Sequence, residues 1–312
     1  MKSNSIEDNI QNIDTKKDML VNSGVSVISI INRPNSIDKT FDNYLKQNYK
    51  KRELIIILNS SDMDFEKYQK RAEQYNHIRV FKLNQKLNSG ECKNFAFNHI
   101  NFDYIAFFDE DFYASDYLNE AMGTFEKIDC DIVGKLKTYV YFEERKFLAV
   151  NNRNYSYENE YSPGVVNSTM VFKKKLLDKL IFPNTSFAEN KFQIYCLNYG
   201  FKIYSTGRCN YVKHITHDSD FKIDREDFLE DYRIVARNIT DYTDYIAVKN
   251  NTDCSNKSKK KNENRKKENA NKENKKKRNI NKNKQNNRSQ NNKNKATPKK
   301  SEKESGWGSI RL

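Results

Sequence analysis

Four apolar runs, each long enough for one buried strand, alternate with helix-like segments in the first third of the chain. The runs are rich in β-branched and aromatic residues and end at turn-forming residues, as strands buried on both faces of a sheet do. Ser36 and Gly90 each precede a segment with helical spacing of its apolar residues. The runs are Val25–Ile31, Leu54–Leu58, Ile78–Leu83 and Tyr104–Phe108. This alternation predicts a single α/β domain with a mostly parallel central sheet and helices on both faces.

The fourth run ends on clustered carboxylates, Asp109, Glu110 and Asp111. Residues two apart in an extended chain point to the same side, so Asp109 and Asp111 can face one point while Glu110 faces away. The carboxyl ends of parallel strands form the usual ligand site. Mg²⁺ or Mn²⁺ typically takes one or two protein carboxylates there, together with water and phosphate oxygens. Taken alone, the pattern fits an acidic, solvated turn equally well.

Charge divides the chain into two parts. Residues 250–312 carry 21 Lys and Arg against 6 Asp and Glu, a net charge of +15, whereas the whole chain has +14. The remaining 249 residues are therefore almost neutral. The basic segment has too few apolar residues to offset its chain entropy, which predicts a disordered Asn/Lys-rich tail at 248–312. It has no specific nucleic-acid motif, so we expect salt-sensitive attraction to any polyanion, including anionic lipid headgroups.

The cysteines and the hydropathy bear on the compartment. The five cysteines are scattered, odd in number and never form a Cys-x-x-Cys pair. This argues against a disulfide framework and a zinc site, and fits a reducing compartment. No apolar stretch approaches the length of a membrane span, and residues 1–17 lack the hydrophobic core of a signal peptide. We therefore expect a cytoplasmic protein that a partner can carry to a membrane or another surface.

Several segments in the same order resemble a family 2 glycosyltransferase with the A-type nucleotide-sugar fold. They are Val25–Ser29, the turn Asn32–Pro34, Asn48–Lys50 before Glu53–Ile57, and Tyr104–Asp111. The similarity covers roughly residues 23–220 and implies transfer of a sugar from a nucleoside diphosphate donor. It also implies a polar extension at 1–22 and a glycosyltransferase domain at 23–247. Residues 23–115 then form the half that binds the nucleotide sugar, and residues 116–247 form the acceptor half.

The resemblance implies roles for the donor-side residues. In the family an Asp-x-Asp pair, here Asp109 and Asp111, holds the metal that bridges the donor diphosphate. A cation placed there stabilises the charge of the departing diphosphate. One departure concerns the second strand, where the family usually has a pair of Asp residues, one of them binding the nucleoside base. Asn59 stands there instead and can still bond a base edge through its amide. The donor contacts implied are Asn32, Arg33, Asn59, Lys93 and Asp109.

The acceptor half should supply the base that takes the acceptor proton in an inverting transfer. In the family this base is an Asp that follows a Glu, shortly before an amphipathic helix that ends at Gly. Counting back from Phe192 in Phe192–Tyr204 places Glu189 on the base position, whereas another frame places Asn190 there, which cannot act as a base. Lys213–Ser219 resembles the segment with the family's metal-binding His. His217 is the preferred ligand over His214, and a His ligand favours Mn²⁺ modestly over Mg²⁺.

One segment indicates a narrower subgroup of this family. Glu53–Asn59, with Asp62–Asp64 beyond, is similar to a subgroup associated with sporulation and spore-surface glycosylation in low-GC Gram-positive bacteria. This similarity implies a glycan or protein acceptor at a cell or spore surface.

A catalytically impaired scaffold that acts through its basic tail is the main alternative function. A nucleotidyltransferase would need a Gly-rich loop after the first strand, which Asn32–Asn35 does not provide. Five tyrosines could stack on a sugar ring or simply pack: Tyr139, Tyr141, Tyr155, Tyr157 and Tyr161.

Overall fold

The computed structural model of the protein describes residues 24–34, 36–151, 157–216 and 231–247. The predicted extension at 1–22 and the predicted tail at 248–312 lie outside these ranges. Most of the predicted domain at 23–247 is therefore described, with three gaps.

Strands and helices alternate along this part of the chain. The described α-helices are α1 (Ile37–Leu45), α2 (Phe65–Ala72), α3 (Ser89–Phe97), α4 (Tyr117–Lys127), α5 (Ala188–Asn198) and α6 (Thr243–Ile246). Short 3₁₀ helices span Asn167–Thr169 and Lys174–Asp178. The described strands are β1 (Val25–Ile31), β2 (Arg52–Leu58), β3 (Ile78–Lys82), β4 (Tyr104–Phe107), β5 (Phe112–Tyr113), β6 (Ile132–Gly134), β7 (Tyr139–Phe142), β8 (Phe147–Asn151), β9 (Glu160–Tyr161), β10 (Val171–Lys173), β11 (Ile203–Ser205), β12 (Tyr211–Ile215) and β13 (Tyr232–Arg237).

The central sheet has eight strands in the order β3-β2-β1-β4-β10-β6-β11-β9. The first four are mutually parallel, β10 is antiparallel to both of its neighbours, and β11 is parallel to β6. Strands β6 and β11 thus run in the same direction as β4, and their carboxyl ends lie at the same edge. The predicted α/β domain is confirmed, with β10 and the edge strand β9 running against the other strands.

Helices cover both faces of this sheet. In β2, Leu54, Ile56 and Leu58 belong to a cluster with residues of α1, α2 and α4. Ile55 and Ile57 belong to a second cluster with residues of α3 and α5. Alternation along the strand sends neighbouring side chains to opposite faces, and burial on both faces explains why β2 is apolar throughout.

A second sheet of five strands, in the order β13-β8-β7-β12-β5, was not predicted. Its strand β5 begins directly after the acidic run, and β4 in the central sheet ends directly before it. The acidic run therefore crosses from one sheet to the other. Its backbone is fixed on both sides, since Phe108 N–H donates to Ile28 C=O at 3.0 Å and Ala114 N–H donates to Asn210 C=O at 2.9 Å.

The expectations about cysteines and membrane spans have separate outcomes. Cys92, Cys130 and Cys196 are buried free thiols, and burial raises the pKa of Cys92 to about 11. Cys209 is disulfide-bonded, which the sequence analysis did not expect. Among the residues placed here, no helix has the length and apolar character needed to cross a bilayer.

Gly90 and Gly123 provide a matched stability test. A Cβ at Gly90 would lie 1.8 Å from the carbonyl oxygen of Pro183 and 3.1 Å from the Cβ of Ala188, whereas a Cβ at Gly123 would meet nothing within 4 Å. We expect Gly90→Ala to lower the free energy of unfolding by about 3 kcal/mol through overpacking. Gly123→Ala should raise it by about 0.5–1 kcal/mol through helix propensity. Urea denaturation midpoints measure both, and equal shifts would contradict the close packing of α3 on the Pro183 loop.

Candidate active site

The acidic run places its three carboxylates in different surroundings. The Asp109 side chain is exposed, at the carboxyl end of β4. Glu110 accepts a hydrogen bond from the Ser36 hydroxyl, on the loop after β1. Asp111 is 8% exposed. Asp109 is therefore open to solvent, Glu110 is bonded to the loop after β1, and Asp111 is held inside the protein.

Both carboxylate oxygens of Asp111 accept hydrogen bonds from β12. The Tyr211 hydroxyl donates to Oδ2 at 2.5 Å, and the His214 backbone N–H donates to Oδ1 at 3.0 Å. The Asn43 amide donates to the Asp111 carbonyl at 2.7 Å. These bonds fix the position of Asp111. Each carboxylate oxygen keeps a second lone pair with which it can bind a cation.

Two buried tyrosines, Tyr113 and Tyr211, connect the acidic run to Ser168 through hydrogen bonds. The Tyr113 hydroxyl accepts from the Asp109 N–H at 2.9 Å and donates to the Ser168 carbonyl at 2.7 Å. The Tyr211 and Ser168 hydroxyls are 2.7 Å apart. Sequence reasoning missed Tyr113 and Tyr211. The available signal was their position in apolar strands, since a buried tyrosine hydroxyl usually requires a hydrogen-bond partner.

Lys93 and Glu189, predicted from separate segments, form an ion pair. The Lys93 Nζ lies 2.5 Å from Glu189 Oε1, and the two side chains are only 6% and 14% exposed. The Ser89 hydroxyl donates to the same Glu189 oxygen at 2.7 Å and accepts from Lys93 at 2.7 Å. Burial alone would raise the pKa of Glu189, but the Lys93 charge and these hydrogen bonds bring it below its usual value. Glu189 is therefore a carboxylate at neutral pH.

Asp109 interacts electrostatically with both members of this ion pair. Its pKa is raised to about 6, first because the surrounding protein removes water from the carboxylate and then because Asp111 and Glu189 repel its charge. Lys93 and Lys213 oppose the shift. The side chain nevertheless keeps access to solvent. An excess of negative charge at such a position favours binding of a cation.

The other predicted donor contacts follow β1 and β2. The Asn59 amide donates to Asn32 Oδ1 at 2.8 Å and to the Leu87 carbonyl at 3.0 Å. Its oxygen accepts from the Leu87 N–H at 2.8 Å. Asn59 is therefore buried between two loops and already bonded at both ends of its amide. Asn32 and Arg33 are exposed at the same edge of the sheet, where a donor could contact them.

The remaining predicted residues are His214, His217 and Asn190. His214 is on β12, and its ring nitrogens lie 2.5 Å from Glu143 Oε1 and 2.5 Å from the Tyr242 hydroxyl. His217, the predicted metal ligand, lies outside the described residues. In the alternative frame for the base, Asn190 is exposed and its Oδ1 accepts from the Asn167 amide at 2.8 Å. Glu189 thus bonds to Lys93, whereas Asn190 bonds to Asn167.

The donor set fits a hard divalent cation. Within the described ranges no three His, Cys, Asp or Glu side chains are grouped to hold a metal. Mg²⁺ and Mn²⁺ need fewer protein ligands than that when a substrate phosphate supplies oxygens. The carboxylates of Asp109 and Asp111 offer the oxygen ligands that such a cation requires, at the carboxyl edge of the sheet.

Comparison with known families identifies the domain. The family model described as glycosyl transferase family 2 matches residues 26–196, which is more than half of the chain. The chain belongs to glycosyl transferase family 2. The matched range contains Lys93, Asp109, Asp111 and Glu189, so the family assignment includes the site described above. A comparison with curated protein sequences gave no match.

S. aureus TarS shares the fold of this family 2 domain. S. aureus TarS 1-349 in complex with UDP-GlcNAc is 18% identical, with a TM-score of 0.50, and the match covers 66% of this chain and 64% of that one. The mannosyltransferase PcManGT from Pyrobaculum calidifontis, in complex with GDP-Man and Mn²⁺, is 17% identical with a TM-score of 0.48. That match covers 61% of this chain and 56% of the mannosyltransferase. The chain thus spans less than two thirds of either protein.

Proposed function

We propose that this family 2 domain transfers a sugar from a nucleoside diphosphate sugar to an acceptor hydroxyl, with Mn²⁺ or Mg²⁺ bound at Asp109 and Asp111. One observation carries the proposal. Lys93 and Glu189, which are 96 residues apart in the chain, form a buried ion pair whose charges act on Asp109 at the carboxyl end of β4. Such a transfer requires a carboxylate that binds the cation, a positive charge near the phosphates and a carboxylate that takes the proton of the acceptor hydroxyl. Asp109, Lys93 and Glu189 are proposed for these three roles.

The donor side of this reaction is assigned to the acidic run and to α3. Asp109 and Asp111 would hold the cation, and His217 is proposed as a further ligand. A cation there would neutralise charge on the departing diphosphate. Lys93, in the middle of α3, is proposed to attract the same phosphates by its direct charge. Asn32, Arg33 and Asn59 are proposed to contact the nucleoside.

Glu189 is proposed as the general base. It is ionised at neutral pH, which a base requires, and it lies at the amino end of α5. A carboxylate on the side of the attacking hydroxyl supports a single displacement with inversion. The acceptor is proposed to be a surface glycan or glycoprotein. Contacts of the basic tail with a membrane or spore surface belong to the same proposal.

Nucleotide titration tests this function. UDP, GDP and TDP are titrated calorimetrically into the full chain with and without Mn²⁺. We expect one nucleotide to bind only with metal, and the double variant Asp109→Ala, Asp111→Ala to lose that binding while its circular dichroism spectrum stays unchanged. Failure of all three nucleotides to bind folded protein would contradict the enzyme and favour the scaffold alternative.

A further inference from the structure

A second group of charges surrounds the buried carboxylate of Glu158. The Arg208 Nε donates to Glu158 Oε1 at 2.9 Å, and the Lys137 Nζ lies 3.5 Å from Oε2. The Glu158 side chain is 3% exposed, and those of Arg208 and Lys137 are 14% and 17% exposed. Two largely buried cations thus share one carboxylate.

Arg233 adds a third cation to this group. It is exposed on β13, where it pairs with Val150 of β8, and Val150 pairs in turn with Tyr139 of β7, two residues after Lys137. Burial lowers the pKa of Lys137, and the charges of Arg208 and Arg233 lower it further. Among the residues described, neither the Arg233 guanidinium nor the terminal nitrogens of Arg208 have a hydrogen-bond or ion-pair partner. Among the described residues, two largely buried cations and the exposed Arg233 thus surround a single buried carboxylate. The two buried cations leave an excess of positive charge beside Glu158, and burying such an excess is costly, so the arrangement is explained if an anion completes it.

The fold holds Lys137 and Arg208 at the edge of the sheet that carries Asp109, whereas Arg233 lies on β13 of the five-stranded sheet. Lys137 follows β6 and Arg208 follows β11, and both strands run parallel to β4. The two loops are joined by the buried Lys135, whose Nζ donates to the Gly207 carbonyl at 2.6 Å and to Glu120 at 2.9 Å. Lys137 and Arg208 are therefore held in place before any ligand binds.

The distance along the sheet separates this group from the donor site. Strand β10 lies between β4 and β6, and two inter-strand spacings of about 4.8 Å put β6 roughly 10 Å from β4. Lys93 already serves the donor phosphates in the proposed function. A second cation group at this distance can reach a substituent one or two sugar units away from the reacting centre. Tyr139 lies beside it, within range of the charges of Arg208 and Arg233, and offers a ring for a sugar face.

We propose that Lys137, Arg208 and Arg233 bind an anionic group, a phosphate or a carboxylate, of the acceptor. The acceptor is then an acidic glycan or a phosphate-bearing polymer and not a neutral sugar. This inference rests on the proposed transfer function and adds the acceptor's chemical class to it. The terminal nitrogens of Arg208 and Arg233 supply paired N–H donors, which suit phosphate and carboxylate oxygens.

Titration of the full chain with glycerol 3-phosphate, with glycerol as the uncharged control, tests the inference. Glycerol 3-phosphate should bind and glycerol should not. Arg233→Gln and Lys137→Met should each weaken binding about tenfold, the loss of one hydrogen bond to a charged group. Arg237→Gln, on the same strand and outside the group, is the matched control and should bind as the wild type does. Arg233 has no described partner, so its replacement leaves the fold intact.

Three results would overturn the inference: no binding of glycerol 3-phosphate, equal losses in Arg237→Gln and Arg233→Gln, or displacement of glycerol 3-phosphate by UDP with Mn²⁺. The last would assign these cations to the donor's diphosphate. UDP titrated with Mn²⁺ into the same variants tests the proposed function separately, because the inference requires donor binding to stay unchanged in them.

Discussion

An Asp109→Asn variant is expected to lose about 1,000-fold in sugar-transfer rate and to lose the metal dependence of nucleotide binding. The amide keeps the size of the side chain but removes the charge that binds the cation. Without that cation the departing diphosphate lacks several kcal/mol of electrostatic stabilisation. Transfer or donor hydrolysis, measured over a range of Mn²⁺ concentrations, gives both quantities.

Glu110→Gln is the matched control for this change. Glu110 is next in the chain, but its carboxylate accepts a hydrogen bond from the Ser36 hydroxyl on the loop after β1. We expect its transfer rate to stay within about threefold of the wild type, the scale of effect that a lost hydrogen bond away from the reacting atoms produces. A large loss in Glu110→Gln with little change in Asp109→Asn would mean that the acidic run faces the donor in the opposite register.

The same Asp109 variant should be more stable than the wild type above pH 6. The folded protein raises the pKa of Asp109 from 3.8 to about 6, so the charged form is disfavoured in the folded state. Asparagine removes that penalty. The advantage should shrink as the pH falls from 6 toward 3.8 and vanish below it, because the carboxyl is then protonated in both states. Melting temperatures across this range measure it, and a rate loss with gained stability separates catalysis from folding.

Glu189→Gln is expected to lower the transfer rate by about 10²–10⁴-fold while nucleotide binding persists. Glutamine cannot accept the acceptor's proton, although its amide oxygen can still bond Lys93 and Ser89. With the carboxylate charge gone, Lys93 is freer to attract the diphosphate, so donor affinity should stay equal or rise. Lys93→Met should weaken donor binding instead. The measurement compares the transfer rate and the donor affinity of these two variants.

Asn190→Ala decides between the two frames for the base. Asn190 is exposed and its described bond is to Asn167, so its removal should change the rate little. If Asn190→Ala abolished transfer while Glu189→Gln retained it, the position after Glu189 would be the one that contacts the acceptor. The assignment of the base would then be wrong.

The first four strands and the acidic run could be predicted because each depends on local pattern. Continuous apolar runs such as β2 have one stable placement, between two helical layers. The second sheet could not be predicted, because its strands are short and pair with segments far along the chain. Strand β12, for example, pairs with β5 and β7, so only the folded chain brings His214 and Tyr211 to Asp111.

The candidate site was predicted as separate residues and not as an arrangement. Lys93 and Glu189 were each named from their own segment, and no sequence spacing indicates that residues 96 positions apart share an ion pair. Asp111 was expected to face the same point as Asp109. Its bonds to Tyr211 and His214 depend on β12, which the local alternation cannot include.

Asn59 shows that the departure from the family's acid is accommodated by the surrounding loops. Its amide hydrogens point at two oxygens, on Asn32 and Leu87, and a carboxylate in the same place would offer no hydrogens and would repel both. Replacing Asn59 by aspartate would therefore separate the loops after β1 and β3. The packing of these two loops thus depends on an amide at this position.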